Sequence, residues 1–295
     1  MSVKGKIVTD MIRFFTSQKM LGPKIQDGTL RKNLVEPPWH CPDEYLNLPI
    51  HMRQFEMELL TPKAADNGEV VLQLHGGGYI AKIRNAYRDF AVRYSKIDQY
   101  RVLSVDYRVA PQHPYPAAFQ DAIEAYRWLL YSGFSGDRII LAGDSAGGGL
   151  VLALAMYLRD QSMPLPKKLV MMSPWTDLTA SGPSYQENYE NDPLFGNTRE
   201  SMIYNGEYAG KQDPKLPYIS PLFGDFHGLP PMLFQVGSLE MLLSDSVLAA
   251  QKAKEAGCDV TLTVYQDMFH VFQLSMDKLA ESRAAWDEVA AFLGK

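Results

Sequence analysis

Short runs of apolar residues recur along most of the chain, and each predicts a buried strand. They lie at residues 70–74, 101–105, 138–142, 168–172, 232–236 and 260–265. Continuous runs of this kind are typical of parallel strands that are covered by helices on both faces. Residues 53–60 instead alternate between apolar and polar positions, with Phe55, Met57 and Leu59 on one face. This alternation predicts a half-buried strand that is antiparallel or lies at the edge of the sheet.

Helical periodicity fills the stretches between several of these runs. Residues 116–132 carry apolar side chains at helical spacing and are followed by Gly133, and residues 245–256 are followed by Gly257. A third helix is predicted over about 276–293. Glycine often follows the last turn of a helix because it adopts a left-handed backbone at little steric cost. Alternating strands and helices predict an α/β fold with a mostly parallel central sheet flanked by helices.

Two segments interrupt this alternation and predict a cap. Residues 1–50 precede the sheet and contain a helical stretch followed by a proline-rich link, and residues 180–216 separate two predicted strands and are rich in Tyr, Asn and Pro. Long insertions in compact domains are often functional lids. The predicted organisation is therefore a cap made of 1–50 and 180–216 over a core made of 51–179 and 217–295.

Composition narrows the class of protein. The 295 residues are 46% apolar and 21% charged, with a net charge of −5, so the chain can bury a large core. The acidic balance argues against a nucleic-acid partner and gives no reason to expect a membrane partner. Two cysteines without CxxC spacing argue against a zinc site, leave a disulfide open and fit a reducing compartment. With no continuous apolar leader at the start, we expect a cytoplasmic protein.

Residues 143–147 read Gly-Asp-Ser-Ala-Gly, which is a GxSxG motif between a predicted strand and a predicted helix. A sharp strand-to-helix turn lifts the serine hydroxyl out of the sheet and needs small neighbours, here Gly143 and Gly147. A Rossmann phosphate loop is the rival interpretation, but the stretch lacks G-x-G-x-x-G spacing. Ser145 is therefore the predicted nucleophile, and Asp144 is expected to brace the surrounding loops.

Residues 75–79 read His-Gly-Gly-Gly-Tyr directly after the strand at 70–74. Glycines allow backbone N–H groups to point jointly at one oxyanion, and an HGGG loop has this role in lipases and esterases. Tyr79 follows the loop, where lining the acyl pocket and simple core packing are both open. Asp106 and Arg108, after the next strand, are expected to form a structural polar cluster.

These motifs together resemble the hormone-sensitive-lipase-like (bacterial family IV) carboxylesterases of the α/β-hydrolase superfamily. The resemblance covers about residues 65–295 and extends to DYRVAPQHPYPAA at 106–118, SPWTDL at 173–178 and VGSLEMLLSDS at 236–246. It implies an α/β-hydrolase fold with a helical cap. It also implies that the backbone N–H groups of Gly77, Gly78 and Ala146 form the oxyanion hole and that His75 orients the loop. Family members are often homodimers, although the sequence reveals no interface.

The base and the acid should follow Ser145 along the chain, because the order in this fold is Ser, Asp or Glu, then His. His270 follows the strand at 260–265, on the catalytic edge of the sheet, whereas His227 precedes a strand and is expected at the surface. The acid is either Glu240 or Asp245. Glu240 is preferred because it stands where the family has its acid, and because Asp245 is expected to cap the next helix.

The predicted function is hydrolysis of short-chain acyl esters by a Ser145–His270–Glu240 triad through an acyl-enzyme intermediate, without metal or cofactor. Aromatic residues of the inserted segment, including Tyr185, Phe195 and Tyr204, are expected to pack the cap or line the substrate tunnel. Two alternatives remain open: a binding protein of the same fold that has lost turnover, and amide or lactone hydrolysis by the same triad.

Overall fold

The computed structural model describes residues 2–16, 36–195 and 207–294. Its strands are β1 (Tyr45–His51), β2 (Glu56–Pro62), β3 (Val70–Leu74), β4 (Arg101–Asp106), β5 (Ile139–Asp144), β6 (Lys168–Met172), β7 (Met232–Gly237) and β8 (Val260–Tyr265). Its α-helices are α1 (Val3–Thr16), α2 (Asn85–Asp98), α3 (Ala117–Tyr131), α4 (Ala146–Asp160), α5 (Ser184–Glu187), α6 (Leu243–Glu255) and α7 (Ala280–Leu293). Short 3₁₀ segments lie at Gly136–Arg138, Pro221–Phe223 and Phe272–Lys278.

The strands form one sheet in the order β1-β2-β4-β3-β5-β6-β7-β8. β2 pairs antiparallel with both of its neighbours, and the pairs from β4 to β8 are parallel. The antiparallel strand predicted at 53–60 is therefore present as β2. The sequence pattern missed β1, and the boundary predicted at residue 50 falls inside that strand. The α/β fold with a mostly parallel sheet is confirmed.

Side chains alternate between the two faces of the sheet and create two apolar layers. On one face Leu72 and Leu103 join the side chains of α3, α4 and α6. On the other face Val71 and Val102 join α2 and α7, where the Trp286 ring packs edge-on against aromatic rings of α2. Both faces of β3, β5, β6 and β7 are thus covered, which is why their sequences read as continuous apolar runs. β8 lies at the edge of the sheet and is only partly buried, so the prediction of a buried strand at 260–265 is wrong in its burial.

The N-terminal helix contacts both the core and the inserted segment. Its Val8 packs against the buried cluster that contains Phe269 and Phe272, next to β8. At the far end of the helix, the Arg13 guanidinium donates a hydrogen bond of 3.0 Å to the backbone oxygen of Asn191, which lies in the inserted segment. Among the described residues no helix is long and apolar enough to cross a bilayer.

Candidate active site

Ser145 occupies a strained turn between β5 and α4. Its backbone has φ 52° and ψ −123°, a conformation that costs free energy in a residue with a side chain. Its N–H donates to Met172 O on β6 and its carbonyl accepts from the Trp175 N–H. A Cβ atom on Gly147 would lie 2.0 Å from Leu74 O, so the close approach of β3 and α4 requires glycine there. The predicted nucleophile thus lies in a sharp strand-to-helix turn at the carboxyl end of β5.

His270 and Glu240 meet at the carboxyl ends of β8 and β7. His270 Nδ1 lies 2.8 Å from Glu240 Oε2, and both side chains are buried. The other carboxylate oxygen of Glu240 accepts hydrogen bonds from the Ser173 hydroxyl, at 2.7 Å, and from the Gly237 N–H. These donors fix the position of the Glu240 carboxylate, so Glu240 can orient the imidazole with Nε2 free for a proton.

One cavity is lined by both Ser145 and His270. Its volume is about 170 Å³. Gly77, Gly78, Tyr87 and Asp144 also line it. The other lining residues are apolar: Trp175, Leu194, Phe195, Leu242, Val271 and Leu274. A small apolar cavity with few polar groups is typical of a site for a small organic substrate.

The glycine loop after β3 lines the same cavity with backbone groups. Gly77 has φ +112° and Gly78 has φ +62°, conformations that favour glycine. Within the described parts of the chain, the N–H groups of Gly77, Gly78 and Ala146 donate no hydrogen bond. Ala146 is the first residue of α4, where the helix dipole adds partial positive charge. These three donors can stabilise an oxyanion beside Ser145.

Asp144 fastens the glycine loop to the nucleophile turn. Its Oδ1 accepts the Gly76 N–H at 3.2 Å, and its Oδ2 accepts the Tyr87 hydroxyl at 3.2 Å. Burial raises the pKa of the Asp144 carboxyl from 3.8 to about 7. The contacts agree with the bracing role that the sequence predicted for this residue.

His75 is buried behind the loop. Its ring stacks on Tyr107 at 4.1 Å, and its Nδ1 lies 2.7 Å from Gly76 O. Burial lowers the pKa of the His75 imidazole from 6.5 to about 4, so it is neutral near pH 7 and donates from Nδ1 to the loop. These contacts support the predicted orienting role.

Tyr79 packs among aromatic rings. Its side chain is 1% exposed, and its ring stacks on Tyr208 at 3.7 Å. Tyr79 is not among the described residues that line the cavity with Ser145. Of the two interpretations left open from sequence, core packing describes the contacts of Tyr79, and a role in lining the acyl pocket stays a prediction.

Asp245 has a different environment from the predicted helix cap. It lies in the first turn of α6, inside the helix, and its Oδ2 accepts the N–H groups of Thr176 and Asp177 at 2.7 and 2.8 Å. Burial raises the pKa of its carboxyl to about 8. The capping prediction is wrong because a distant loop supplies the donors to the Asp245 carboxyl.

Three other predicted polar residues lie outside the cavity. His227 is exposed and contacts Asp225, as expected for a surface histidine. Asp106 and Arg108 do not form one cluster: Asp106 contacts Lys82, whereas Arg108 pairs with Asp121 on α3. Their predicted grouping is wrong because adjacent side chains after β4 point to different helices and loops.

Three residues that contact the acid and its turn were not identified from sequence. Ser173 donates to Glu240 and accepts the Val271 N–H at 3.2 Å. Asn188 and Asp192, in the inserted segment, bond to the backbone of the turn that contains Glu240. Tyr204, predicted in the same segment, lies outside the described residues. Among the described residues there is no group of three or more His, Cys, Asp or Glu side chains that could hold a metal ion.

Comparison with known protein families gives a match over most of the chain. A family profile described as alpha/beta hydrolase fold matches residues 71–274. The chain is 39% identical over 230 residues to an acetyl-hydrolase of Streptomyces hygroscopicus, covering 78% of this chain and 77% of that protein. It is 35% identical over 224 residues to an esterase of Acinetobacter venetianus, covering 76% and 74%.

Solved structures are similar over nearly the full length. A crystal structure of EstE5 soaked with p-nitrophenyl butyrate superposes with a TM-score of 0.90 at 33% identity, covering 99% of this chain and 98% of that one. An esterase from the bacterial hormone-sensitive lipase family superposes with a TM-score of 0.85 at 35% identity, with the same coverage of 99% and 98%.

Proposed function

Since the chain belongs to the α/β-hydrolase family, among the hormone-sensitive-lipase-like esterases, and is a carboxylic ester hydrolase, we propose that it cleaves short-chain acyl esters with a Ser145–His270–Glu240 triad. The observation that carries this proposal is the contact of 2.8 Å between His270 Nδ1 and Glu240 Oε2, beside a cavity that Ser145 also lines. The alternative acid, Asp245, bonds to backbone N–H groups instead.

The proposed reaction is acyl transfer in two steps. His270 Nε2 takes the proton of the Ser145 hydroxyl, and the oxygen attacks the ester carbonyl. The oxyanion accepts hydrogen bonds from the N–H groups of Gly77, Gly78 and Ala146. The alcohol leaves with the proton from His270. Water then attacks the acyl-enzyme by the same route, while Glu240 keeps the imidazole oriented and stabilises its protonated form.

The size of the cavity supports a short acyl chain. Its volume of about 170 Å³ favours a short acyl group such as butyryl over a long one such as palmitoyl. EstE5, which is similar over the whole chain, was soaked with a butyrate ester, and this agrees with the proposed substrate class.

We extend the proposal to the cap. The inserted segment contributes Leu194 and Phe195 to the cavity wall, and α1 touches that segment through Arg13. These contacts support a cap made of the N-terminal region and residues 180–216. A cytoplasmic location and a homodimer stay predictions.

The first test is hydrolysis of p-nitrophenyl esters from acetate to palmitate. We expect the highest kcat/KM on acetate or butyrate and a loss of at least ~1000-fold in Ser145→Ala. Ser132→Ala, at the exposed end of α3, is the matched control and should keep full activity. Absence of turnover on every ester by folded protein would favour a binding role, and faster cleavage of palmitate than of butyrate would contradict the short-chain proposal.

A second assay addresses the leaving group. The same acyl group is offered as a p-nitrophenyl ester and as a p-nitroanilide, and the two values of kcat/KM are compared. We expect the ester to be preferred, because the relatives are named esterases and acetyl-hydrolases. An anilide rate equal to the ester rate would instead assign amide hydrolysis to this triad.

A further inference from the structure

The turn that contains Glu240 is bonded to the inserted segment through its backbone. Asn188 Nδ2 donates to Ser238 O at 3.0 Å and to Glu240 O at 2.8 Å. Asp192 Oδ2 accepts the Met241 N–H at 2.8 Å. Two polar side chains of the inserted segment thus bind the backbone of Glu240 and of residues before and after it.

Asp192 also orders the part of the inserted segment that reaches His270. Its Oδ1 accepts the N–H groups of Leu194 and Phe195 at 2.8 and 3.0 Å. The Phe195 ring then packs edge-on against the His270 imidazole, with 4.8 Å between ring centroids. Asp192 is 1% exposed, and a buried carboxylate is tolerated only when donors such as these replace water.

The Asp192 carboxylate therefore connects the turn that contains Glu240 with the Phe195 ring that packs on His270, and with the cavity wall. Leu194 and Phe195 line the cavity directly. A shift of the inserted segment would move the backbone on which the Glu240 side chain is built. Small displacements of catalytic groups matter, because a misplacement of about 1 Å can lower the rate about 100-fold.

We propose that Asn188 and Asp192 are positioning residues for Glu240, so that docking of residues 188–195 sets the alignment of Glu240 with His270. This inference rests on the proposed function, since it takes Glu240 as the acid of an ester-cleaving triad. It predicts that the segment that borders the acyl group also controls the rate of the chemical step.

Asp192→Asn is the sharpest perturbation. The amide oxygen can still accept the N–H groups of Leu194 and Phe195. The amide NH₂ then faces the Met241 N–H, and because both groups are donors they cannot form a hydrogen bond. The bond to the acid turn is lost while side-chain volume is kept. Asn188→Ala removes the other link. The matched controls are Glu190→Gln and Asn191→Ala, which change exposed side chains in the same segment.

With p-nitrophenyl butyrate, we expect kcat to fall about 10- to 100-fold in Asp192→Asn and in Asn188→Ala, with KM changed by less than about threefold. Both controls should retain the wild-type kcat. A change confined to KM would assign the two residues to substrate binding alone and would overturn the proposal, as would an unchanged kcat. Should Asp192→Asn fail to fold by circular dichroism, Asn188→Ala carries the same test.

A double-mutant cycle with Glu240→Gln separates positioning from a general structural role. If Asp192 acts through Glu240, adding Asp192→Asn to Glu240→Gln should change kcat by less than about twofold, because the acid is already lost. Equal fold losses in the two backgrounds would overturn the proposal. Failure of the proposed function would be recognised by a different result. Either an absence of esterase activity in the wild-type protein or full activity of Glu240→Gln would refute the triad, whatever the double-mutant cycle shows.

Discussion

The buried carboxyl of Asp144 gives a prediction with a defined sign and size. Its pKa rises from 3.8 to about 7 because burial disfavours the ionised form. The folded state therefore holds the proton more tightly than the unfolded chain. The resulting stability is fully present below pH 3.8 and is lost as the pH rises toward 7. A shift of about three units, at about 1.4 kcal/mol per unit, gives about 4 kcal/mol.

Asp144→Asn isolates this contribution, because asparagine is neutral at every pH and keeps an oxygen that can accept the Gly76 N–H. The free energy of unfolding should be measured by urea denaturation from pH 4 to pH 8 for wild type and variant. We expect the variant to gain up to about 4 kcal/mol relative to wild type across this range, at about 1.4 kcal/mol per pH unit in its steepest part. The buried Asp245 titrates in both proteins and cancels in the difference.

Ser132→Ala, at an exposed position and without change of a titratable group, is the control and should give a difference that does not vary with pH. The reasoning would be refuted if the wild-type and Asp144→Asn curves ran parallel, within about 1 kcal/mol, from pH 4 to pH 8. Such a result would mean that the hydrogen bonds from Gly76 and Tyr87 outweigh desolvation and keep Asp144 ionised.

Three further predictions concern the catalytic turn and the acid. Ser173→Ala removes a hydrogen bond to the Glu240 carboxylate and leaves the Val271 N–H without its acceptor. We expect the free energy of unfolding, measured by urea denaturation, to fall by about 2–4 kcal/mol and kcat to fall at least ~10-fold, and an unchanged kcat would contradict this role of Ser173. Gly147→Ala puts a Cβ 2.0 Å from Leu74 O, so little folded protein should be recovered, as size-exclusion chromatography would show. Glu240→Gln should lower kcat about 10³- to 10⁴-fold with little change in KM, measured on the butyrate ester; a loss below tenfold would exclude it as the acid.

The central strands could be predicted from sequence because both of their faces are apolar: the predicted range 70–74 coincides with β3, which is buried at every position. The predicted range 260–265 coincides with β8 in its bounds, although β8 is a half-exposed edge strand. β1 was missed since Tyr45–His51 is an edge strand of mixed exposure that contains Pro49. Its conformation depends on pairing with β2, in which Pro49 faces Glu58, and such pairing leaves little trace in a single segment.

Some parts of the candidate site are short continuous motifs, and others are contacts between residues far apart in the sequence. The motifs around Ser145 and the glycine loop belong to the first kind, so their positions could be predicted directly from the sequence. Ser173 and Asp192 bind groups 67 and 49 residues away, on Glu240 and Met241. A single sequence carries no signal for such pairs. The same limit explains the error on Asp245, whose partners Thr176 and Asp177 lie on a distant loop.

Buried carboxylates join the loops at the carboxyl edge of the sheet. Asp144 links the nucleophile turn to the glycine loop, Asp192 links the inserted segment to the acid turn, and Asp245 links α6 to the loop after β6. Each accepts backbone N–H groups of a segment far along the chain. Apolar packing is non-directional, whereas a hydrogen bond constrains both distance and angle. Loops that must hold catalytic atoms at fixed positions are therefore better joined by carboxylates than by apolar contacts, although each buried acid costs desolvation free energy.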